Sequence, residues 1–290
     1  MTLREALTVA AAQLASDPHL RDTATRDAEL LLLHTLQISR VTLVAHPNRE
    51  LTASQRNAFE SNISRRLHHV PIQYITGQQE FYGLTLGVTP AVLIPRPETE
   101  HLVEAVLKLL PSNQPLRIVD VGTGSGAIAI ALATHLPQAT ITALDISIEA
   151  LAVARANAHE HNVASSIQFL QSDLLSALNL DADTFDAIVS NPPYIPESDR
   201  PTLHPQVRNY EPATALFAGE TGLDIYRRLI PEAHKALKPN GLLALEIGHG
   251  QKTDLASLLA DWQDVKFVND LQQIPRVALA RRPAVSVTIR

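Results

Sequence analysis

The sequence predicts an α/β protein in which a mostly parallel sheet with flanking helices follows a small helical bundle. Three observations predict it. After Glu98, apolar β-branched runs alternate with helical stretches; residues 1 to 70 carry apolar residues at helical spacing; and the stretch between changes to Gly, Pro and β-formers. At 290 residues and 45% hydrophobic, the chain suffices for one large domain and a smaller one.

The N-terminal elements come first. Thr2 and Glu5 form a capping-box pattern ahead of Leu3, Leu7, Ala10, Ala11 and Leu14, which marks one amphipathic helix. A second runs through Asp27 to Leu33, and a third opens on Thr52 and Gln55 with Phe59, Ile63 and Leu67 on one face. Residues 1–70 are therefore expected to form a small helical domain. Residues 71–97 form a connector in which Phe81 to Val88 reads as part of a β-hairpin, and 98–290 form the main domain. Its expected strands are Leu116 to Val121, Thr140 to Leu144, Ile167 to Leu170, Ala187 to Ser190, Leu242 to Ile247 and Val265 to Val268. Helices fit at Ser125 to Leu136 and Ser147 to His161, and the tail from Val277, with Val285, Val287 and Ile289 alternating, reads as one or two closing strands.

Composition narrows the function classes. No apolar stretch is long enough to span a bilayer and no basic-then-apolar leader opens the chain, so a cytoplasmic protein without membrane attachment is expected. A net charge of −6 and a balance of eight Arg against eight Asp or Glu in the first 90 residues argue against binding built on many phosphates; no direct nucleic-acid contact is expected. There is no cysteine, and the twelve histidines are scattered, His68-His69 included, so no metal is expected and these histidines read as solvated or helix-end residues. A monomer is favoured.

The chemistry sits at strand ends. Arg117 to Val121 runs into Gly122-Thr123-Gly124-Ser125-Gly126 and then a run of small helical residues, a strand, glycine turn and helix that lets a nucleotide approach the backbone. The glycines also satisfy the dinucleotide fingerprint, so alone they are weak evidence. Asp145 ends the next strand, where a carboxylate can accept from ribose hydroxyls, and Asp173-Leu174 ends the third, with Leu174 an apolar contact for an adenine ring. The fourth strand delivers Asn191-Pro192-Pro193-Tyr194. This tetrapeptide resembles the active-site motif of methyltransferases that modify nitrogen in planar, conjugated NH2 groups. An amide nitrogen is a poor nucleophile, so geometry must be supplied: the Asn191 side-chain oxygen and the Pro192 carbonyl each accept one N–H, the prolines bring no competing donor, and Tyr194 is expected to cover the flat face.

Motifs outside the cofactor region extend the resemblance. Asp27-Ala28-Glu29-Leu30-Leu31-Leu32, Pro71 to Gly77, Glu80 to Leu84, Leu93-Ile94-Pro95-Arg96-Pro97-Glu98-Thr99-Glu100, Tyr210-Glu211-Pro212, Ala215 to Gly219 and Gly222-Leu223-Asp224 resemble the release-factor glutamine methyltransferases (PrmC/HemK) over essentially the whole chain. The resemblance implies a Rossmann-like class I methyltransferase fold using S-adenosylmethionine, yielding S-adenosylhomocysteine, without metal. It implies transfer to the N5 amide nitrogen of the glutamine in the Gly-Gly-Gln motif of class 1 peptide chain release factors, and it assigns substrate recognition to the helical domain of residues 1–70. By the same carry-over, Gly122, Thr123, Gly124, Ser125, Gly126, Asp145, Asp173, Leu174 and Asn191 hold the cofactor, Asn191 to Tyr194 hold the glutamine with Asn191, Pro192 and Tyr194 catalytic, and Pro95 to Glu100 border the site. Two positions depart from the family pattern: Leu174 stands where Trp is frequent, and Asp270 to Arg276 shows Gln273 where Asp-x-x-Gly-x-x-Arg has glycine. The competing readings are an adenine-N6 nucleic-acid methyltransferase, which must extrude its base and bind phosphates, and a non-catalytic binding module on the same fold.

Overall fold

Both capping boxes form. In the computed structural model, which describes residues 1–179 and 184–284, the Glu5 N–H donates to Thr2 Oγ1 at 3.2 Å and the Thr2 N–H to Glu5 Oε2 at 2.8 Å. Thr52 and Gln55 repeat the arrangement at 3.1 and 3.2 Å. These caps satisfy N–H groups that a helix start leaves without partners, and so fix where α1 (Leu3–Ala15) and α4 (Ala53–Leu67) begin. Between them lie α2 (Ala24–Leu36) and α3 (Arg40–Ala45), with α5 (Ile72–Thr76) following. Leu3, Leu14, Leu31, Leu32, Phe59 and Ile63 share one core. Across it Arg66 Nε donates to Asp27 Oδ2 at 2.8 Å with both side chains buried, and Thr23 donates to the same oxygen at 3.0 Å. The charged pair therefore ties α2 to α4 inside an otherwise apolar bundle.

The chain divides into two compact units, Met1–Gln78 with Thr202–Tyr210, and Gln79–Pro201 with Glu211–Arg290. The helical unit thus includes a segment far along the sequence, which helical periodicity near the N-terminus gave no means of foreseeing. There the Tyr210 hydroxyl donates to His68 O at 2.7 Å. His68 and His69, read as solvated or helix-end residues, both stand at the end of α4. His68 is exposed at the end of α4, but His69 is partly buried, its ring 5.6 Å from that of His19 and 6.4 Å from that of His204. No group of three His, Cys, Asp or Glu able to hold a metal occurs among the described residues.

A hairpin follows α5 in the chain, β1 (Gln78–Phe81) and β2 (Leu84–Gly87), whose turn places Tyr82 and Gly83 at φ of 51° and 74°. α6 (Pro97–Leu109) starts on a proline with Glu98 and Glu100 in its first turn, both favourable at a helix N-terminus. Then follow β3 (Leu116–Val121), α7 (Ala127–His135), β4 (Ala139–Asp145), α8 (Ile148–Glu160), β5 (Ile167–Gln171) and β6 (Phe185–Ser190). α9 (Pro205–Tyr210) lies in the helical unit; α10 (Asp224–Ala236), β7 (Leu237–Glu246), α11 (Lys252–Leu258), β8 (Gln263–Asn269) and β9 (Pro275–Arg281) complete the chain. Every expected strand is present. α7 begins two residues later than expected because Ser125 and Gly126 belong to the turn, Gly126 having φ of 84°. The closing strand is β9, and Val285, Val287 and Ile289 lie outside the described residues.

One sheet of seven strands runs in the order β5-β4-β3-β6-β7-β9-β8. The pairs from β5 to β7 are parallel, and β9 is antiparallel to both β7 and β8. Residues of α6 and α7 share the core on one face and those of α10 and α11 the core on the other. Because β3 leads to β4 on one side and has β6 on the other, the connections diverge and leave a crevice at the carboxyl ends of these strands. The register fixes what meets there. Val121 pairs with both Leu144 and Ser190, so Gly122, Asp145 and Asn191, each one residue further on, come to the same edge.

Candidate active site

The glycine turn is pinned from below and open above. The N–H groups of Gly122 and Thr123 both donate to Leu144 O at 2.8 Å, which forces the chain back on itself immediately after β3. Gly122 and Gly124 have φ of 72° and 54°, and a Cβ at either would meet nothing within 4 Å, because both face the cleft. A side chain would therefore be strained by backbone conformation and would also fill space open to a ligand. Gly126 differs: its Cβ would stand 3.0 Å from Ile130 Cδ1 and 3.2 Å from Ala154 Cβ, so this glycine allows α7 to pack on α8. Thr123 and Ser125 are likewise buried rather than cleft-lining; Thr123 donates to Asp120 Oδ2 at 2.7 Å and Ser125 O accepts from Asn157 Nδ2 at 2.8 Å. Of the five turn residues read as cofactor ligands, Gly122 and Gly124 face the space and the other three shape it.

The cleft measures about 340 Å³, within the usual range for a small-molecule site. Asp145, Leu174, Asn191, Pro192 and Pro193 line it with the two glycines. Asp145 accepts from Gly124 N at 2.8 Å through Oδ2 and from Ser147 N at 2.9 Å through Oδ1, and burial raises its pKa despite these bonds. Asp173 reaches the cleft wall but is half-exposed and pairs with Arg228 at 2.7 Å, which makes it part of a rim ion pair. Below the turn Asp120 is fully buried; burial pushes its pKa up to about 7, and its Oδ1 has no partner. An open glycine cradle and a carboxylate at the second strand end suit a nucleotide-like ligand with hydroxyl donors.

Asn191 to Tyr194 is held as firmly as the turn. The Gln251 amide donates to Tyr194 O at 3.0 Å and Gly222 O at 3.3 Å, while its oxygen accepts from Gly248 N at 2.9 Å. A Cβ on Gly222 would lie 2.2 Å from Tyr194 O, so glycine is required for that approach. Asn191 Nδ2 donates to Thr99 Oγ1 at 3.0 Å. Tyr194 stands apart from the other three residues of the motif. It does not line the cleft, and its hydroxyl donates to Glu246 Oε1 at 3.4 Å in the interior, because its ring packs with the core under α10 and α11. Burial raises the Tyr194 pKa, so it stays a neutral donor, and burial also pushes Glu246 up to about 7.

Thr99, Asp120, Glu246 and Gln251 were not singled out as site residues. Thr99 sat inside the segment expected to border the site, yet Val92 and Leu93 supply the wall there and Thr99 supports Asn191 through a hydrogen bond. Asp120 and Glu246 carried a readable signal, since each is a lone acid at or near the end of an apolar strand. Arg96 pairs with Glu211 at 2.6 Å and Ile94 N donates to the same carboxylate at 3.3 Å, fixing the connector beside Pro212.

A sheet of this order, with a glycine turn after its first strand and Asn-Pro-Pro-Tyr after its fourth, defines a class I methyltransferase fold. The model of the "PrmC N-terminal domain" matches residues 5–77 and that of the "Methyltransferase small domain" residues 99–204. A release factor glutamine methyltransferase of Koribacter versatilis is 46% identical over 285 residues, covering 98% of this chain and 99% of the relative. One from Moorella thermoacetica is 44% identical over 285 residues, covering 97% and 99%. The chain belongs to the release factor glutamine methyltransferase family. Among solved structures, the hMettl16 catalytic domain in complex with an RNA hairpin is 18% identical with a TM-score of 0.56, covering 74% of this chain and 81% of that one. A methyltransferase from Pyrococcus furiosus, also 18% identical, has a TM-score of 0.52 over 78% of this chain and all of that one. At these identities the likeness is one of fold.

Proposed function

We propose that this protein methylates the side-chain amide nitrogen, N5, of the glutamine in the Gly-Gly-Gln motif of class 1 peptide chain release factors, using S-adenosylmethionine, in the cytoplasm. The observation that carries the reading is the convergence of Asn191, Pro192 and Pro193 with Gly122, Gly124 and Asp145 on one cleft. Gly122 and Gly124 would let the cofactor's amino acid part lie against backbone, Asp145 would meet ribose hydroxyls and Leu174 the adenine ring. When bound, S-adenosylmethionine supplies the methyl group, and the amide nitrogen exchanges one N–H for N–CH3 with loss of a proton.

The residues do the rest by orientation. Asn191 Oδ1 and the Pro192 carbonyl accept the two N–H groups, holding the nitrogen in one direction and favouring the positive charge it gains. The prolines fix φ and add no donor of their own. Tyr194 packs behind the motif, with its hydroxyl on Glu246. No metal is needed for this chemistry. The nucleic-acid reading is not favoured: curated relatives carry the release-factor name, and the chain is acidic at −6.

The test is methyl transfer from labelled S-adenosylmethionine to unmethylated class 1 release factor, with duplex DNA and RNA alongside and mass spectrometry locating the mark. A methyl on the Gly-Gly-Gln glutamine is expected. Label on adenine, with none on release factor, would overturn the reading.

A further inference from the structure

One wall of the cleft, Ala91 to Leu93, hangs between two buried side chains that do not themselves line it. Before the wall, the Gly87 N–H donates to Asn157 Oδ1 at 2.8 Å, while Asn157 Nδ2 donates to Gly87 O at 3.0 Å and to Ser125 O at 2.8 Å. After it, Glu211 Oε2 accepts from the Ile94 N–H at 3.3 Å and Oε1 from the Arg96 guanidinium at 2.6 Å. Asn157 is 2% exposed and the Glu211 side chain 0%. The amide is satisfied on both sides and the carboxylate has a cation and a backbone donor, so both hold geometry rather than supply chemistry.

The two side chains reach different ends of the site. Asn157 ties the wall to Ser125, within the glycine turn. Glu211 ties it to the stretch that carries Pro212, Ala215 and Phe217 into the cleft. That stretch is stitched to the chain leaving the Asn191 to Tyr194 motif: the Ile195 N–H donates to Leu216 O at 2.9 Å, and Ile195 O accepts from Ala218 N at 3.0 Å. The third link is Thr99, which accepts from Asn191 Nδ2 at 3.0 Å and stands in the first turn of α6, the helix that Arg96 caps. Three stretches of chain thus meet around the acceptor position, and Glu211 joins two of them.

We propose that Glu211 and Asn157 are positioning residues that divide the site through this one wall, Glu211 setting the acceptor end and with it affinity for the protein substrate, Asn157 setting the glycine turn and with it affinity for the cofactor. This rests on the reading of the cleft as an amide-nitrogen methyltransferase site. Without Glu211 the N–H of the buried Ile94 loses its acceptor and Arg96, 30% exposed, is free to turn outward, so the wall loses its hold on Pro212. Without Asn157 the Ser125 carbonyl and both backbone groups of Gly87 lose their partners, and the turn that presents Gly122 and Gly124 loses a tie to α8. Only an amide serves at 157, because two carbonyls need a donor and the Gly87 N–H needs an acceptor.

The experiment compares Glu211→Ala, Glu211→Gln and Asn157→Ala with the wild-type chain, reading kcat and KM for release factor at saturating S-adenosylmethionine, S-adenosylhomocysteine affinity and melting temperature. Glu211→Ala is expected to raise KM about tenfold, with kcat lowered less than about threefold and cofactor affinity kept within about twofold. Glu211→Gln keeps an acceptor for the Ile94 N–H and should recover part of that loss. Asn157→Ala should do the reverse, weakening S-adenosylhomocysteine about tenfold while KM for release factor stays within about twofold. A residue that merely supports the fold would lower melting temperature and kcat without separating the two affinities. Wild-type KM in Glu211→Ala, or equal losses of both affinities in the Glu211 and Asn157 variants, would overturn the proposal. Should an alanine variant fail to fold, Glu211→Gln decides: a raised KM with cofactor affinity kept supports the assignment, and an unchanged KM overturns it. A wild-type chain that binds S-adenosylhomocysteine but leaves release factor unmethylated would overturn the functional reading itself and this inference with it, an outcome distinct from an active wild type whose Glu211 variants keep their KM.

Discussion

In the helical unit Asp27 is buried against Arg66 at 2.8 Å, whereas under the cleft Asp120 and Glu246 are buried with no cation at ion-pair distance among the described residues. The first pair neutralises itself, so its charge is compatible with the core and ties two helices together. The other two acids have only hydroxyl and backbone donors for company, and burial raises both to about 7. Acids placed this way weaken the fold near neutral pH, and both lie directly behind the motifs of the cleft wall. The difference teaches where to look for function: a compensated buried charge reports on architecture, an uncompensated one on chemistry.

The largest expected effect breaks the compensated side. Asp27→Ala leaves the Arg66 guanidinium buried and unpaired, and should destabilise the helical unit by about 3–5 kcal/mol. Chemical denaturation of the whole chain checks it; a change under about 1 kcal/mol would mean water reaches Arg66 easily. Next in size is Asn191→Ala, which touches the chemistry and not the fold. It should lose about 3 kcal/mol of transition-state stabilisation, read as kcat/KM, while the thermal shift given by S-adenosylhomocysteine persists. A parallel collapse of melting temperature would show that Asn191 is structural.

Glu246→Gln sharpens the comparison because its sign is opposite to that of Asp27→Ala. The folded-state pKa of Glu246 is raised above the ordinary carboxyl value, so between about pH 4.5 and 7 the folded chain holds a proton that the unfolded chain releases. Its contribution to stability is therefore greatest at low pH and declines as pH rises through about 7. The neutral amide has no such decline. At pH 8 the variant should be more stable than wild type by on the order of 1–2 kcal/mol, and near pH 5 the two should match. Paired melts at the two pH values measure this, and a less stable variant at pH 8 would show that the carboxylate has a partner that the hydrogen-bond pattern does not reveal.

Much of this was legible in the residues. Thr2 with Glu5, and Thr52 with Gln55, announced two helix starts because a cap is a local device that needs no distant partner. The alternation after Glu98 marked every strand of the main sheet, and Gly122, Asp145 and Asn191 announced themselves because each ends a strand. What could not be read depended on pairings across long sequence separation. The union of Thr99 with Asn191 spans α6 to β6, and Tyr194 turns inward because Gln251 and Glu246, more than fifty residues on, take hold of it. Likewise Thr202–Tyr210 joins the helical unit although nothing in its composition sets it apart.

The smallest expected effect lies at a point where this chain departs from its family's pattern. Asp270 Oδ1 accepts from Gln272 N at 2.8 Å and Ile274 N at 2.9 Å, while Oδ2 accepts from Arg276 Nε at 3.0 Å, so one carboxylate closes the whole turn between β8 and β9. Closing it that tightly puts Gln273 at φ of 64°, the left-handed region where a Cβ crowds the following carbonyl. Glycine avoids that crowding, but its greater freedom in the unfolded chain cancels part of the gain. Gln273→Gly should therefore stabilise the chain by about 0.5 kcal/mol, leaving kcat unchanged, and a modest rise in melting temperature is the readout. A fall would mean that the Gln273 side chain makes up for its own strain. Paired with Asp270→Ala, which removes the acceptor that imposes the turn, the gain should vanish, since without that carboxylate residue 273 is no longer held in the left-handed region.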